Sequence, residues 1–217
     1  MPEEHQRAAY LEPADLQIAA ALCRGTLAPA LQANWESRAG DLTWTCRRTL
    51  DHIVDTLCLY SAHLASRARE RLPLARDGDP SLSVADLLRL VEPMAAVLAE
   101  VARAAPPETR AFHPAGMADA TGFLAMGCEE ILIHTADIAQ GLDLPFRPPE
   151  DLSKRVLTRL FPWAPATGDP WPALLWACGR VALPDHPRLD ADWYWWCAPL
   201  DEWDGKPKKR SVPPAWT

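Results

Sequence analysis

Apolar residues recur every three to four positions through most of the first 145 residues. This spacing is typical of helices that bury one face, and it lacks the strict alternation of a half-exposed β-strand. Four long stretches follow the pattern, at about residues 13–27, 45–71, 83–105 and 118–140. Because modest connections join them, the sequence predicts an all-α fold whose main part is a four-helix bundle.

Local signals mark where some of these helices begin and end. Ser83 and Asp86 have the spacing of a capping box, with Asp in place of the usual Glu, so the third helix is expected to begin there. Gly141 follows the fourth stretch and predicts a left-handed cap at that position. Residues 77–80 combine Asp, Gly and Pro and are expected to form a loop after the second helix.

The pattern changes after residue 145, where the proline-rich segment 145–149 predicts a linker. Most of the ten tryptophans lie in the part of the chain that follows. The sequence therefore predicts two parts, a helical bundle formed by residues 1–146 and a small tryptophan-rich subdomain formed by residues 147–217, packed on the bundle.

Within the C-terminal part, the signals are shorter and more varied. Short helices are expected near residues 152–160 and 171–181. The aromatic run 193–196 is β-prone and is expected to form a strand or coil. The basic run 206–210 is expected to be a solvated tail, as most charge runs are.

Charge and composition exclude several classes of partner. The 22 Lys and Arg residues are outnumbered by 29 Asp and Glu residues, which gives a net charge of −7. Phosphate backbones and anionic membrane surfaces attract clustered positive charge, so neither a nucleic acid nor a membrane is the expected partner. The N-terminal residues lack the basic-then-apolar build of a signal peptide, which predicts a cytoplasmic protein. The six cysteines form no CxxC pair and are expected to be free thiols.

The fourth helical stretch carries the candidate chemistry. It is apolar almost all round, yet Glu130, His134 and Asp137 lie on one stripe of its surface at i, i+4 and i+7. Buried charges of this kind need a partner or a metal ion. His52, in the second helix, is the best candidate to meet them. Two histidines and one carboxylate match the protein ligands of a catalytic zinc site.

Other interpretations remain open for these residues. A Glu-x-x-x-His pair also occurs on many helix surfaces, where it stabilises the helix without a metal. His63 lies on nearly the same face as His52 but three turns away, so it cannot share one ion and is expected to line a pocket or the surface. Arg180 and Arg188 are weak candidates for binding an acidic substrate, since only their charge supports the role.

Two motifs in this region resemble a known superfamily. Trp44-Thr-Cys-Arg-Arg-Thr-Leu-Asp-His52 is similar to the start of the second helix in the DinB/YfiT-like superfamily, and most similar to its mycothiol-dependent maleylpyruvate isomerase branch. Glu130-Ile-Leu-Ile-His134-Thr-Ala-Asp137 resembles the E-x-x-x-H-x-x-D helix of that branch. The resemblance implies that His52, Glu130 and His134 bind a divalent metal, usually zinc. Asp137 would then hold a ligand histidine, or else make an ordinary helix-capping or inter-helix hydrogen bond.

The resemblance also implies an activity. It predicts an isomerase or thiol transferase that uses a low-molecular-weight thiol, here mycothiol, to act on a small electrophilic substrate. The C-terminal third shows no motif that matches the substrate-binding region of the isomerases, so maleylpyruvate itself is not the expected substrate. The same residues are compatible with a metal-dependent hydrolase that uses bound water, or with a bundle that binds metal or a small ligand without turnover.

Overall fold

The computed structural model describes residues 10–73, 80–166, 168–212 and 214. This part of the chain is mostly helical. The four long helices are α1 Pro13–Leu27, α2 Cys46–Ser66, α3 Val84–Ala104 and α4 Ala120–Gly141. Two shorter helices follow, α5 Glu150–Leu160 and α6 Pro170–Ala177. The expected turn at 77–79 lies outside the described residues.

Side-chain caps explain where the long helices begin. The Thr45 hydroxyl accepts a hydrogen bond from the Arg48 amide at the start of α2, and Ser83 does the same for Asp86 at the start of α3, as predicted. Asp119 accepts the Gly122 amide in front of α4. Each cap satisfies an amide that has no partner inside its helix. Helix α2 ends at Ser66, five residues earlier than predicted, because Arg67 adopts a left-handed conformation with φ 50°.

The long helices pack around one apolar core. Helix α3 contacts α1, α2 and α4, and α4 contacts α1 and α2 as well. Fully buried leucine and isoleucine side chains fill the space between them, including Leu16, Leu57, Leu98 and Ile131. Removing such side chains from water is the main driving force for the packing. Helix α4 is buried on nearly every face, as its apolar sequence predicts.

Two small antiparallel sheets make the all-α expectation incomplete. Strand β1 Ala111–His113 pairs with β2 Gly116–Ala118 in a tight hairpin between α3 and α4. Strand β3 Trp193–Tyr194 pairs with β4 Lys208–Lys209, with Trp193 opposite Lys209. Three-residue strands are too short to leave a recognisable alternation, which is why the hairpin carries no periodic signal.

The basic run 206–210 is not the solvated tail that the sequence predicts. Lys208 and Lys209 form β4, and the Lys208 ammonium donates to the Ala115 carbonyl at the tip of the first hairpin. The Arg210 guanidinium lies over the rings of Trp193 and Tyr194, at 5.2 and 4.3 Å from their centroids. Cation–π contacts and strand pairing hold this segment against the aromatic run.

The C-terminal part shares the core of the long helices. Helix α5 packs on α4 and α6, and its side chains Leu152, Val156 and Leu160 belong to the same continuous apolar cluster as residues of the four long helices. The segment around Cys197 lies so close to α4 that a Cβ at Gly122 would meet the Cys197 carbonyl at 2.1 Å. Only glycine fits there.

Gly141 also has a different role from the one predicted. It is the last residue of α4 and does not form a left-handed cap; the positive φ of 56° lies at Asp143. A Cβ at Gly141 would lie 2.2 Å from the Arg38 carbonyl and 2.6 Å from the Cys46 sulfur. The glycine is therefore required by close approach of the chain before α2. Within the described residues, no helix has the length and apolar character needed to cross a bilayer.

Candidate metal centre

His52, Glu130 and His134 meet between α2 and α4. Glu130 and His134 are one turn apart on α4, and His52 projects from α2 towards them. A single oxygen, Oε2 of Glu130, lies 3.2 Å from Nε2 of His52 and 3.2 Å from Nε2 of His134. The two imidazole rings are nearly perpendicular, at 85°, with centroids 5.1 Å apart. The structure thus brings together the three residues singled out in the sequence.

The spacing of these atoms fits a small divalent cation. One ligand atom from each residue lies within 4.8 Å of the other two. Zinc binds nitrogen and oxygen at about 2.0–2.1 Å, so a tetrahedral site separates its ligand atoms by about 3.3 Å. The two 3.2 Å separations match that value. Two imidazoles and one carboxylate are also a donor set that zinc accepts.

Asp137 determines which nitrogen of His134 faces the centre. Its Oδ2 lies 3.0 Å from Nδ1 of His134, so the carboxylate accepts the Nδ1 proton and Nε2 points at Glu130. In the neutral ring, Nε2 then offers a lone pair to a carboxylate oxygen that also carries lone pairs. Only a proton or a metal ion between them makes this contact favourable. Asp137 thus contacts a candidate ligand histidine, the first of the two roles considered for it, and it also accepts hydrogen bonds from Arg180 outside α4, the second.

Arg180 anchors Asp137 from the C-terminal part of the chain. Its Nε and Nη2 donate to the two Asp137 oxygens at 3.0 and 2.8 Å, and Nη1 donates to the Cys178 carbonyl at 2.8 Å. The arrangement is a buried, two-pronged ion pair. Arg180 therefore reaches the centre through Asp137 and His134, and its donors are not directed at a substrate as the sequence analysis allowed.

Neighbouring charges stabilise the ionised forms of Glu130, Asp137 and His134. Burial alone would raise the pKa of Glu130, but the two histidines overcome it and hold that pKa below its usual range. Arg180 and His134 likewise overcome burial to lower the pKa of Asp137. Burial opposes the charge on His134 as well, yet Asp137 and Glu130 raise its pKa to about 9. The cluster attracts a cation, whether a proton or a metal.

His52 is the most exposed of the three residues. The His52 side chain keeps 19% of its surface exposed, compared with 4% for His134 and 5% for Glu130. The Trp44 ring packs edge-on against His52, with centroids 4.9 Å apart. Thr56 places its hydroxyl 3.4 Å from Nε2 of the same histidine.

Several residues at the centre were not singled out in the sequence. Tyr60 donates to Oε1 of Glu130 at 3.1 Å, and His113 lies 3.4 Å behind the tyrosine oxygen. Glu129 is buried and accepts a hydrogen bond from the Cys178 thiol at 3.0 Å. Burial, reinforced by the charge of Glu130, raises the pKa of Glu129 to about 7. Tyr60 lies on the same face of α2 as His52, two turns further on, which was a usable signal.

The remaining candidates lie away from the centre. His63 is fully buried, so the surface role is wrong; its Nε2 accepts the Leu72 amide at 3.1 Å. Arg188 is half-exposed and donates to Asp41 at 2.6 Å and to the Gly179 carbonyl at 2.6 Å. The cysteines are free thiols, as predicted, and all except Cys58 are buried.

Arg210 is the cation that the sequence analysis assigned to the tail and the structure places near the centre. It is half-buried between aromatic rings, and its charge interacts with Glu129, Glu130 and Tyr60. Burial lowers the pKa of Arg210, although the guanidinium stays charged at physiological pH.

Comparison with known proteins adds no family assignment. The chain has no significant match to a protein-family model, to a curated protein or to a solved structure. The resemblance to the DinB/YfiT-like superfamily therefore rests on the two motifs alone. Function has to be argued from the geometry of the centre.

Proposed function

We propose that this protein is a divalent-metal enzyme, with zinc as the best-fitting metal, that uses a low-molecular-weight thiol to isomerise or conjugate a small electrophile. In this proposal the four long helices form the four-helix bundle of the DinB/YfiT-like superfamily, and mycothiol is the thiol. The observation that carries it is the group of His52, Glu130 and His134, with ligand atoms within 4.8 Å of one another.

The residues around the centre have distinct tasks. His52, Glu130 and His134 would hold the cation. When bound, a divalent cation lowers the pKa of a coordinated thiol or water, so that a thiolate or hydroxide is present near neutral pH. Asp137 holds the Nδ1 proton of His134 and thereby keeps Nε2 directed at the centre.

The surroundings of the centre also favour a small, polar electrophile. Burial of Glu130 and His134 keeps bulk water from one side, while the exposed part of His52 leaves an approach from the other. Arg210 supplies a positive charge whose field reaches Glu130, which suits a substrate with a carboxylate group.

The first test is metal content. Protein purified without a metal-affinity tag is expected to hold about one equivalent of zinc, measured by elemental analysis. The His52→Ala and Glu130→Ala variants are expected to lose it, while His186→Gln, a histidine outside the group, is expected to retain it. A parent protein that takes up no metal after reconstitution would contradict the proposal.

The second test separates the possible activities. The zinc-loaded protein is incubated with a small electrophile in the presence and absence of mycothiol, and loss of the electrophile is followed. Consumption that requires the thiol supports the proposal. Hydrolysis without thiol would indicate the metal-dependent hydrolase instead, and tight metal binding with neither reaction would indicate a binding protein.

A further inference from the structure

The two oxygens of Glu130 have different partners. Oε2 faces the Nε2 atoms of His52 and His134, each at 3.2 Å. Oε1 points away from them and accepts the hydroxyl proton of Tyr60 at 3.1 Å. Both Tyr60 and Glu130 are buried, so water does not replace this hydrogen bond easily. The carboxylate is thus held with one oxygen towards the cation site.

The hydrogen bonds of His113 leave Glu130 as the acceptor for the hydroxyl proton of Tyr60. Nδ1 of His113 accepts the Ala115 amide at 3.0 Å, so in this ring the proton lies on Nε2. Nε2 faces the Tyr60 oxygen at 3.4 Å and donates to it. Because a tyrosine hydroxyl carries one proton, that proton is left for Glu130. Burial keeps His113 in this neutral form by lowering its pKa to about 3.

The β1–β2 hairpin places His113 behind Tyr60. His113 is the last residue of β1, and its ring packs against those of Tyr60 and Trp195 with centroids 5.4 and 5.3 Å away. The tip residue Ala115 is fixed twice, since its amide donates to His113 and its carbonyl accepts from Lys208. The hairpin and the C-terminal segment therefore support the hydrogen-bond chain from His113 to Glu130.

We propose that Tyr60 and His113 are positioning residues that keep Glu130 a one-oxygen ligand. This inference rests on the proposed metal centre. A carboxylate can bind a cation through one or both oxygens. With Oε1 engaged by Tyr60, the second oxygen is withheld, and the coordination position it would take stays available for a thiol or substrate. His113 acts one step further back by fixing the direction of the Tyr60 hydroxyl.

The test uses Co²⁺ as a spectroscopic probe of the metal-free protein. Co²⁺ is titrated into the parent, Tyr60→Phe and Tyr194→Phe, and both the dissociation constant and the visible absorption per bound ion are measured. Tyr194→Phe is the matched control, because it removes a hydroxyl from a ring that also packs on His113 without a hydrogen bond to Glu130. Circular dichroism checks that each variant is folded.

Tyr60→Phe is expected to raise the Co²⁺ dissociation constant about 10- to 100-fold, the range for residues that support a metal ligand. Its visible absorption per ion is expected to fall, since a Glu130 bound through both oxygens raises the coordination number. Tyr194→Phe is expected to match the parent in both measurements. Equal behaviour of Tyr60→Phe and the parent, or an equal change in Tyr194→Phe, overturns the inference.

Variants of His113 provide an independent test. His113→Gln keeps an N–H donor and is expected to stay close to the parent, whereas His113→Leu is expected to shift both readouts towards those of Tyr60→Phe. If Tyr60→Phe does not fold, the two His113 variants test the positioning role instead. Identical Co²⁺ binding and absorption in His113→Gln and His113→Leu would then contradict the inference. A folded parent that binds no Co²⁺ is a different result, because it rejects the metal centre itself and the positioning role with it.

Discussion

Helices α2 and α4 and the residues after 146 contribute to the metal centre in different ways. The two helices supply all three metal-ligand candidates, His52, Glu130 and His134. The C-terminal residues supply none of these, but they supply Arg180, which holds Asp137, and the Cys178 thiol, which donates to Glu129. The two helices provide the ligand candidates, and the C-terminal region binds Asp137, which orients one of them. Substitutions in the two helices are therefore expected to change metal affinity most, and substitutions in the C-terminal region to change the unfolding free energy most.

The largest effect is expected from removing a ligand. Glu130→Ala is expected to abolish metal binding, a loss beyond the roughly 100-fold typical of residues behind a ligand. Glu129→Gln, the neighbouring buried carboxylate, is expected to bind metal with nearly the parent's affinity. Isothermal titration with Zn²⁺ measures both. Similar losses in the two variants would show that the centre responds to the charge of α4 as a whole.

The next largest effect is expected where the two regions meet. Arg180→Met leaves Asp137 buried with His134 but without its arginine partner, and breaking a buried ion pair typically costs about 3–5 kcal/mol of unfolding free energy. Arg188→Met breaks an ion pair whose side chains are 46% and 61% exposed, so a loss below about 1 kcal/mol is expected. Urea unfolding of both variants checks the contrast. A mild effect of Arg180→Met would mean that Asp137 does not depend on the C-terminal part.

A steric change tests the same junction without altering charge. Gly122→Ala places a methyl group against the Cys197 carbonyl and forces the C-terminal segment away from α4, at a cost of about 1–3 kcal/mol. Gly25→Ala, in α1, meets nothing within 4 Å and is expected to stabilise the protein by about 0.4–1 kcal/mol. Thermal unfolding of the pair gives opposite shifts if the packing is as described.

The smallest effect expected is the pH dependence of the metal-free protein. The pKa of His134 is raised to about 9 from the ordinary 6.5. The stability contributed by the charged ring is therefore fully present below pH 6.5 and is lost as pH rises towards 9. Between pH 7.5 and 9.5, above the pKa of Glu129, we expect the part of the unfolding free energy that His134 contributes to fall by roughly 1–2 kcal/mol, in addition to any change from the buried cysteines.

The measurement is urea unfolding with a chelator present, and His134→Gln is the control. That variant is expected to lose less stability than the parent over the same range, since no raised histidine pKa is left to titrate. An equal decline in both proteins would assign the pH dependence to another group.

The sequence predicts the ligand candidates and Asp137 better than the residues that support them from other elements. Glu130, His134 and Asp137 follow from helical periodicity, because residues on one stripe of a helix meet the same neighbour. Arg180 lies 43 residues beyond Asp137, and no local pattern indicates that they pair. His113 lies in a three-residue strand, and Lys208 and Arg210 lie in a run whose composition is that of a solvated surface. Their positions depend on tertiary packing alone.

Because Arg180 holds Asp137 and Asp137 holds His134, the proposed metal centre would make opening of the C-terminal segment and loss of a bound cation linked equilibria. Anything that binds only the closed form stabilises it by mass action. Amide hydrogens around residues 178–197 should then exchange more slowly with solvent as the metal concentration rises, although none of those residues is a metal-ligand candidate. The exchange rate of a segment remote in sequence from the ligand candidates would then depend on the metal concentration.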